Sequence, residues 1–460
     1  MENKENLLGN DLEDDNIDND IGIMRRKSWK ERYFSPMKEG SLRGSVFALS
    51  SIAIGTGGFA LPTRSVQIGL VNEILLLIIG GISAYYSLSC MIHAARNIED
   101  KDYSRIVKKS LGKVPGNILD LVLIIYLFGV LISYQVVIYS LIGRVYYEIF
   151  KKDNYKNFEL FQTDIWNTPI YKFPIMFIIA VILIPLCLLK DLSKMRFTSM
   201  TGIIAILFAT LVILIECPFF FIHYLNNDYK ENIPSTHPNF FNPAKSLKSD
   251  LLIFQCFAGV FFCFTCHVGA FPIYKTLKSN TERRIKKVYK ISLLLDFILY
   301  SIITISGFLT APLNQPDLII YRENNGVLSN DILMILAKFA IAISLTMSIA
   351  PNYNSFRISF IEFFFKTNEI TDSLNYGLTI PTLLITTLVG AIFNEILQYI
   401  TLLGGFLSVI IQFLMPILIY IRNNEYKLSH WKNIFSIIFV VFLCTIGWTA
   451  GMETVLDFFK

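Results

Sequence analysis

Charge is scarce in this chain. Only 17% of its 460 residues are charged and 53% are hydrophobic, whereas soluble domains carry about 25% charged residues. This composition excludes an ordinary soluble domain, and the mean hydropathy of +0.51 is typical of a polytopic membrane protein. The basic residues lie in short loops between apolar stretches, so a role in binding nucleic acid has no support.

Features of exported proteins are missing too. The sequence has no Asn-x-Ser/Thr glycosylation site, and its seven cysteines all lie in or at the ends of apolar stretches, where we interpret them as small hydrophobic side chains. Residues 1–40 are polar, acidic first and then basic, so no cleaved signal peptide is expected. We interpret 1–40 as a disordered cytosolic tail whose basic part lies near lipid headgroups, and 41–460 as a transmembrane transporter domain.

Eleven apolar stretches are each near the roughly 20 residues that a bilayer core of about 30 Å requires. Most loop Lys and Arg lie in the N-terminal tail and after the even-numbered spans. This distribution predicts a cytosolic N-terminus and an extracellular or lumenal C-terminus. The predicted spans are 42–66, 69–92, 116–149, 173–189, 197–224, 250–273, 289–311, 330–364, 376–393, 396–421 and 433–457.

The first span is unlike a lipid-facing helix between Ser50 and Pro62. It holds Gly55, Gly57 and Gly58, with hydroxyl residues around them, where Leu, Ile and Val are expected. Each unpaired backbone amide in lipid costs several kcal/mol, so such a stretch is tolerated where the helix breaks inside protein or beside a water-filled cavity. A helix broken at mid-membrane points to a transporter binding site. The alternative interpretation is a small-residue face for helix packing.

The sixth span has a second interruption of the same character. Thr265, Cys266 and His267 interrupt an apolar run, and Pro272 follows. Because the first and sixth spans run in opposite directions, two interruptions five spans apart predict an inverted five-plus-five repeat. The predicted fold class is therefore an all-α polytopic membrane protein with eleven transmembrane helices, of which helices 1 and 6 are broken.

Three motifs match one known family of membrane proteins. They are Gly55-Thr56-Gly57 with Leu61-Pro62 and Gly69, then Phe264-x-x-His267 through Tyr274, then Leu345-Thr346 through Pro351 to Arg357. On these motifs the chain resembles the amino acid/auxin permease family of the amino acid–polyamine–organocation superfamily, over roughly residues 41–457. The resemblance implies a fold similar to that of the bacterial leucine transporter, with a five-plus-five inverted repeat. It also implies secondary transport of amino acids, driven by protons or sodium.

The two interruptions supply the predicted substrate site. Glycines let a ligand reach the backbone, so freed amides after the first break would bind an amino acid's carboxylate. Freed carbonyls at the second break would bind its ammonium, and Phe264 would close over the substrate as a lid. The predicted substrate-binding residues are Ser51, Gly55, Thr56, Gly57, Gly58, Phe264, Thr265, Cys266, His267 and Thr346.

The coupling ion is less clearly indicated. By the resemblance, sodium-coupled relatives carry an Asn where this chain has Ser51, and a hydroxyl that corresponds to either Thr346 or Ser348. The missing Asn removes a strong oxygen ligand, which favours protons or exchange over sodium. His267 can titrate and is a further candidate, although a neutral His bonded to a freed carbonyl explains it equally simply.

Other charges inside the predicted spans are interpreted as structural. Arg144 and Glu148 are one helical turn apart and are predicted to pair. Glu216 lies near the outer end of the fifth span, and Asp296 lies within the seventh. We expect these carboxylates to be paired with cations rather than to carry protons.

Motifs of enzymes and cofactor proteins are not supported. The string Cys263-x-x-Cys266-His267 matches a haem attachment site but lies inside a membrane span, and no zinc spacing, nucleophile triad or Walker motif appears. We predict no enzyme activity and no cofactor, with an amino acid, a proton or sodium ion and membrane lipid as partners. An amino-acid-sensing transceptor and a channel or carrier for another cation are the other hypotheses. The predicted membrane is vacuolar, lysosome-like or plasma membrane.

Overall fold

The computed structural model describes residues 40–150, 172–189, 192–226, 252–278, 281–310, 312, 315–324, 326–328, 331–367, 370–392 and 395–458. Apart from Gly40, the predicted disordered tail lies outside these residues. The α-helices are α1 Leu42–Ala53, α2 Leu61–Ile68, α3 Leu70–Ile98, α4 Tyr103–Leu111, α5 Lys113–Phe150, α6 Lys172–Cys187, α7 Leu192–Asn226, α8 Leu252–Cys263, α9 His267–Thr276, α10 Glu282–Thr310, α11 Ile332–Phe365, α12 Asp372–Ile392, α13 Ile396–Leu402, α14 Met415–Asn423 and α15 Trp431–Phe458. Short 3-10 helices cover Thr56–Ala60 and Ile319–Tyr321, and π-helical turns cover Leu403–Ser408 and Ile410–Leu414.

Nine of the described helical segments are long and apolar enough to cross a membrane, and the bent pair formed by α1 and α2 makes a tenth. The shorter apolar helix Pro174–Cys187 lies within α6 and corresponds to the predicted fourth span. The prediction of an all-helical membrane protein is thereby confirmed. The number eleven stays a prediction.

The helices differ in how deeply they lie inside the bundle. In the most apolar stretch of α5, 83% of residues are buried, and 72% are buried in the α8–α9 segment, against 44% in α12 and in α15. On α15 the exposed side chains include Ile438, Val441 and Phe442. A continuous apolar surface on a long helix is what lipid covers, so α12 and α15 lie at the periphery and α5 and α8 near the centre.

The first helix begins and ends for local reasons. The Ser41 hydroxyl accepts a hydrogen bond from the Gly44 amide at 3.2 Å, which caps the N-terminus of α1. The helix ends at Ala53, and the chain re-enters helical geometry at Thr56–Ala60 with an axis bent by 54°. At Gly69, φ is +93°, a conformation that favours glycine, and this allows the chain to turn directly from α2 into α3.

A cluster of charges pairs at the end of the bundle where α7 and α11 meet the loop after α10. Arg322 contacts the carboxylates of Glu216 and Asp331 and lies 3.8 Å from the centre of the Phe220 ring. The prediction that Glu216 is a paired structural charge is confirmed.

Arg144 and Glu148, which were predicted to pair, both contact residues outside their own helix. Lys338 binds the Glu148 carboxylate, and Arg144 donates to the Tyr321 carbonyl at 3.1 Å. Glu148 therefore pairs with a cation on another helix. The one-turn spacing of Arg144 and Glu148 in the third predicted span could not indicate this partner.

Candidate functional site

The first interruption lies among aromatic side chains. A Cβ added to Gly55 would lie 2.5 Å from the Tyr134 hydroxyl, and one added to Gly57 would lie 2.7 Å from the Phe262 ring. Both distances are far shorter than a normal contact, so only glycine fits without a shift of these rings. The backbone of the break is therefore in direct contact with α5 and with the end of α8.

The second interruption separates α8 from α9 at residues 264–266. The last four carbonyls of a helix lack partners within it, and here each has a donor within hydrogen-bonding distance. The Phe264 amide donates to the Val260 carbonyl, the Thr265 amide to the Phe262 carbonyl, and the Thr265 hydroxyl to the Phe261 carbonyl. The fourth, the Cys263 carbonyl, accepts from outside this segment.

That donor is the Tyr300 hydroxyl on α10. It lies 2.9 Å from the Cys263 carbonyl oxygen and 3.0 Å from the Ala53 carbonyl oxygen. Ala53 is the last residue of α1 and Cys263 is the last residue of α8. A single phenol therefore joins the ends of the two interrupted helices, in a fully buried position.

A cavity opens where the two interruptions face α5 and α11. Its free interior has room for about one water molecule. Polar atoms come from the backbone, three hydroxyls and one amide. The lining residues are Ile52, Ala53, Gly55, Tyr126, Val130, Tyr134, Phe262, Thr265, Val268 and Asn352.

The predicted substrate residues do not all line this cavity. Gly55 and Thr265 line it. The Thr56 hydroxyl is buried and has no hydrogen-bond partner among the described residues. Gly58 packs on the Tyr300 ring, where a Cβ would lie 2.6 Å away.

Phe264 points away from the cavity. Its ring packs at the edge of the Tyr300 ring, with centroids 5.4 Å apart, and against the Gly80 and Gly81 positions of α3. The aromatic side chain that lines the cavity is Phe262, two residues earlier.

The polar residues after the second break contact α3 and the π-helical turns. The His267 Nε2 atom lies 3.2 Å from the Ser87 hydroxyl, and its Nδ1 atom has no partner among the described residues. The Thr265 hydroxyl lies 3.0 Å from the Gln412 side-chain oxygen. Cys266 is fully buried as a free thiol. The structure thus brings Thr265 and His267 into one polar cluster with Gln412.

The coupling-ion candidates do not share a partner in this conformation. The Ser51 hydroxyl donates to the Ala48 carbonyl of its own helix at 2.9 Å, and the Thr346 hydroxyl donates to the Ala342 carbonyl at 2.7 Å. The Ser348 carbonyl accepts from the Asn352 amide at 2.9 Å. Within the described part of the chain, no group of three or more His, Cys, Asp or Glu could hold a metal ion.

The sequence and the fold have known counterparts. The family model described as "Transmembrane amino acid transporter protein" matches residues 38–454. The chain belongs to this family. Its members are transporters, which confirms the predicted resemblance and the prediction that the chain is not an enzyme.

Individual relatives of this transporter are distant. It is 25% identical over 427 residues to amino acid transporter AVT6D of Arabidopsis thaliana, with 89% of this chain and 92% of the relative covered. It is 21% identical over 407 residues to the sodium-coupled neutral amino acid symporter 2 of Danio rerio, covering 85% and 78%. With the putative amino acid transporter AAT1 of Toxoplasma gondii it shares 22% identity over 331 residues, and the match spans 71% of this chain but 42% of that protein.

The solved structure of MhsT in complex with L-phenylalanine has the same fold, with a TM-score of 0.55, 13% identity, and coverage of 92% of this chain and 99% of that one. The predicted likeness to the leucine-transporter fold is thereby confirmed. Four polar residues at or beside the cavity were not predicted: Tyr126, Tyr134, Tyr300 and Asn352. Each lies in a long apolar run without a glycine or proline beside it, except Asn352, which follows Pro351 inside the eighth predicted span.

Proposed function

We propose that this chain is a secondary transporter that moves amino acids across a membrane by alternating access. The substrate binds in the cavity between the first interruption, α5, the second interruption and α11. The observation that carries the proposal is the Tyr300 hydroxyl, which joins the ends of α1 and α8 beside this cavity. Helices that end at mid-membrane leave amides and carbonyls available to a zwitterion.

In this proposal each break binds one charged group of the amino acid. The amides at the start of the 3-10 helix Thr56–Ala60 bind the carboxylate, helped by the positive end of the helix dipole. Carbonyls near Ala53 and Cys263 bind the ammonium, which replaces the Tyr300 hydroxyl as their donor. Gly57 and Gly58 keep the backbone accessible, and the Phe262 ring closes the cavity in place of the predicted lid Phe264.

The size of the cavity supports alternating access. Room for about one water cannot hold an amino acid, so the conformation described here is closed at the site. The helical hydrogen bonding is interrupted at the two breaks, so the short segments α1 and α9 can move relative to the rest of the bundle. Such a movement would enlarge the cavity.

Protons or exchange are proposed as the coupling mode, with sodium as the alternative. Ser51 stands where sodium-coupled relatives carry Asn, and its hydroxyl is bonded within α1. The name of the Danio rerio relative includes sodium coupling, so both gradients must be tested. Eleven spans, a cytosolic N-terminus and a vacuolar, lysosome-like or plasma membrane belong to the same proposal.

The test is uptake of labelled amino acids by the purified protein in liposomes. A panel of amino acids would be offered under a proton gradient, under a sodium gradient and under neither, with empty liposomes as the control. We expect accumulation of at least one amino acid under the proton gradient, or exchange of labelled for unlabelled amino acid without a gradient. Absence of both accumulation and exchange for every amino acid, under every gradient, would refute the proposed function.

A further inference from the structure

Asp296 is a buried carboxyl group without a hydrogen-bond partner. It lies on α10, 14 residues after the first residue Glu282, which places it about 21 Å along the helix at about 1.5 Å per residue. Its side chain is 0% exposed, and neither carboxyl oxygen has a hydrogen-bond partner in the described part of the chain. This differs from the expectation that Asp296 is a paired structural charge.

The surroundings of Asp296 come from both interrupted helices. Ser50 on α1 and Cys266 at the start of α9 lie close enough to interact with it, and Tyr300 follows one turn later on α10. The titratable groups that face it are thus the Cys266 thiol and the Tyr300 phenol. The helices α2, α3 and α7 also pack on α10, but none of their described side chains places a charge against Asp296.

The burial of Asp296 and the lack of cations around it in the described part of the chain determine which form of its carboxyl group costs less free energy. An ionised carboxylate in an apolar interior, with no cation and only the Ser50 hydroxyl beside it, costs far more than a neutral carboxyl group. The neutral carboxyl group is therefore the form that costs less in this closed conformation. If α1 or α9 moves and admits water, the carboxylate becomes solvated and the proton can leave.

A second buried carboxyl group, Glu73 on α3, differs in one respect. It too is 0% exposed and its oxygens have no hydrogen-bond partner among the described residues. The Arg64 guanidinium, however, interacts with it electrostatically and is itself held by the Gln255 carbonyl at 2.7 Å and the Thr401 hydroxyl at 2.9 Å. The cation beside Glu73 offsets part of the cost of burying its charge. No cation lies beside Asp296 in the described part of the chain, so water that enters on opening matters more for the ionisation of Asp296.

We propose that Asp296 is the proton-binding site that couples this transporter to a proton gradient. The proposal rests on the proposed function. In the closed state the proton is bound to one carboxyl oxygen. When α1 or α9 moves, the O–H bond breaks, the proton passes to water, and the carboxylate remains until a proton arrives from the other side.

The test compares Asp296→Asn with the wild type in liposomes. Asparagine has nearly the same shape but cannot titrate. We expect the variant to exchange labelled for unlabelled amino acid at equal pH, to lose accumulation driven by a pH gradient, and to show an exchange rate that no longer varies with pH. Glu73→Gln is the comparison variant and is expected to keep pH-driven accumulation.

Several outcomes contradict the proposal. It is overturned if Asp296→Asn accumulates amino acid under a pH gradient as the wild type does, or if the wild type exchanges amino acids but does not respond to a pH gradient. It is also overturned if Glu73→Gln, and not Asp296→Asn, loses driven accumulation. A wild type without exchange or accumulation refutes the proposed function itself, which is a different result.

A second measurement decides the case in which Asp296→Asn is inactive in both assays. A hydrophobic carbodiimide reacts with protonated carboxyl groups in apolar sites, and mass spectrometry reports the modified fraction at Asp296 in the wild-type protein. We expect modification at about pH 6 that decreases by about pH 9, since buried carboxyl groups can titrate near pH 8–9. No modification at either pH, or the same fraction at both, would overturn the proposal.

Discussion

At the scale of single residues, Tyr300 holds the ends of two helices together. Its hydroxyl is within 3.0 Å of carbonyl oxygens at the end of α1 and of α8. A buried carbonyl that loses its donor costs about 1–3 kcal/mol. The phenol therefore contributes to stability and fixes how the two interruptions lie relative to each other.

Tyr300→Phe removes this donor and keeps the ring that packs on Phe264. We expect a lower melting temperature of the purified protein, because the one O–H donor that the two carbonyls share is lost, and a changed KM for amino acid uptake. The matched control is Tyr289→Phe on the same helix, because the Tyr289 hydroxyl is buried without a partner in the described part of the chain. Equal melting temperatures for the two variants would show that the Tyr300 hydroxyl does not join the breaks.

The residues that could be predicted are those with an unusual local sequence. Gly55 and Thr265 were predicted and line the cavity, because glycines and hydroxyls inside an apolar run stand out without any knowledge of packing. Tyr134 and Asn352 reach the cavity only because α5 and α11 pack beside the breaks. Their positions depend on contacts far apart in the chain, which composition and spacing do not encode.

At the scale of helices, α8 and the π-helical turn Leu403–Ser408 approach each other so closely that backbone atoms, rather than side chains, make the contact. A Cβ added to Gly404, in the π-helical turn Leu403–Ser408, would lie 2.0 Å from the Ala258 carbonyl oxygen on α8. Because the obstacle is backbone, it cannot rotate away. Small residues at such contacts allow helices in membranes to approach closely. The glycines of the first span predicted its break, whereas the neighbouring pair Gly404 and Gly405 in the predicted tenth span led to no prediction of the π-helical turns.

Gly404→Ala is expected to destabilise the protein by about 1–3 kcal/mol, because the added methyl group overpacks the contact with α8. The control is Gly377→Ala on α12, where no atom lies within 4 Å of the added Cβ. That control is expected to be neutral or slightly stabilising, since alanine is the better helix former. Thermal unfolding of both variants in the same detergent measures the difference, and an unchanged melting temperature for Gly404→Ala would contradict the described packing.

At the scale of the whole molecule, the fold and the class of protein could be predicted because both depend on repeated signals. Long apolar stretches indicate a helical membrane bundle, and the motifs around the two interruptions indicate the family. The site is less predictable, since it forms where the interruptions meet α5 and α11. The pairing of Lys338 with Glu148 across two helices likewise needed the structure.

The central claim, that an amino acid binds between the two interrupted helices, is tested most directly by uptake into liposomes containing Gly57→Leu. A Cβ at Gly57 lies 2.7 Å from the Phe262 ring and 3.0 Å from the Cys263 sulfur, so leucine fills the space between the breaks. Overpacking costs about 1–3 kcal/mol. Because this strain opposes binding at the same place, it corresponds to affinity that is lower by about 5- to 150-fold, with uptake reduced accordingly. Gly377→Leu, in open space on α12, is expected to transport at the wild-type rate. If Gly57→Leu, at the same amount of folded protein, takes up labelled amino acid as fast as Gly377→Leu, the substrate does not bind at the breaks.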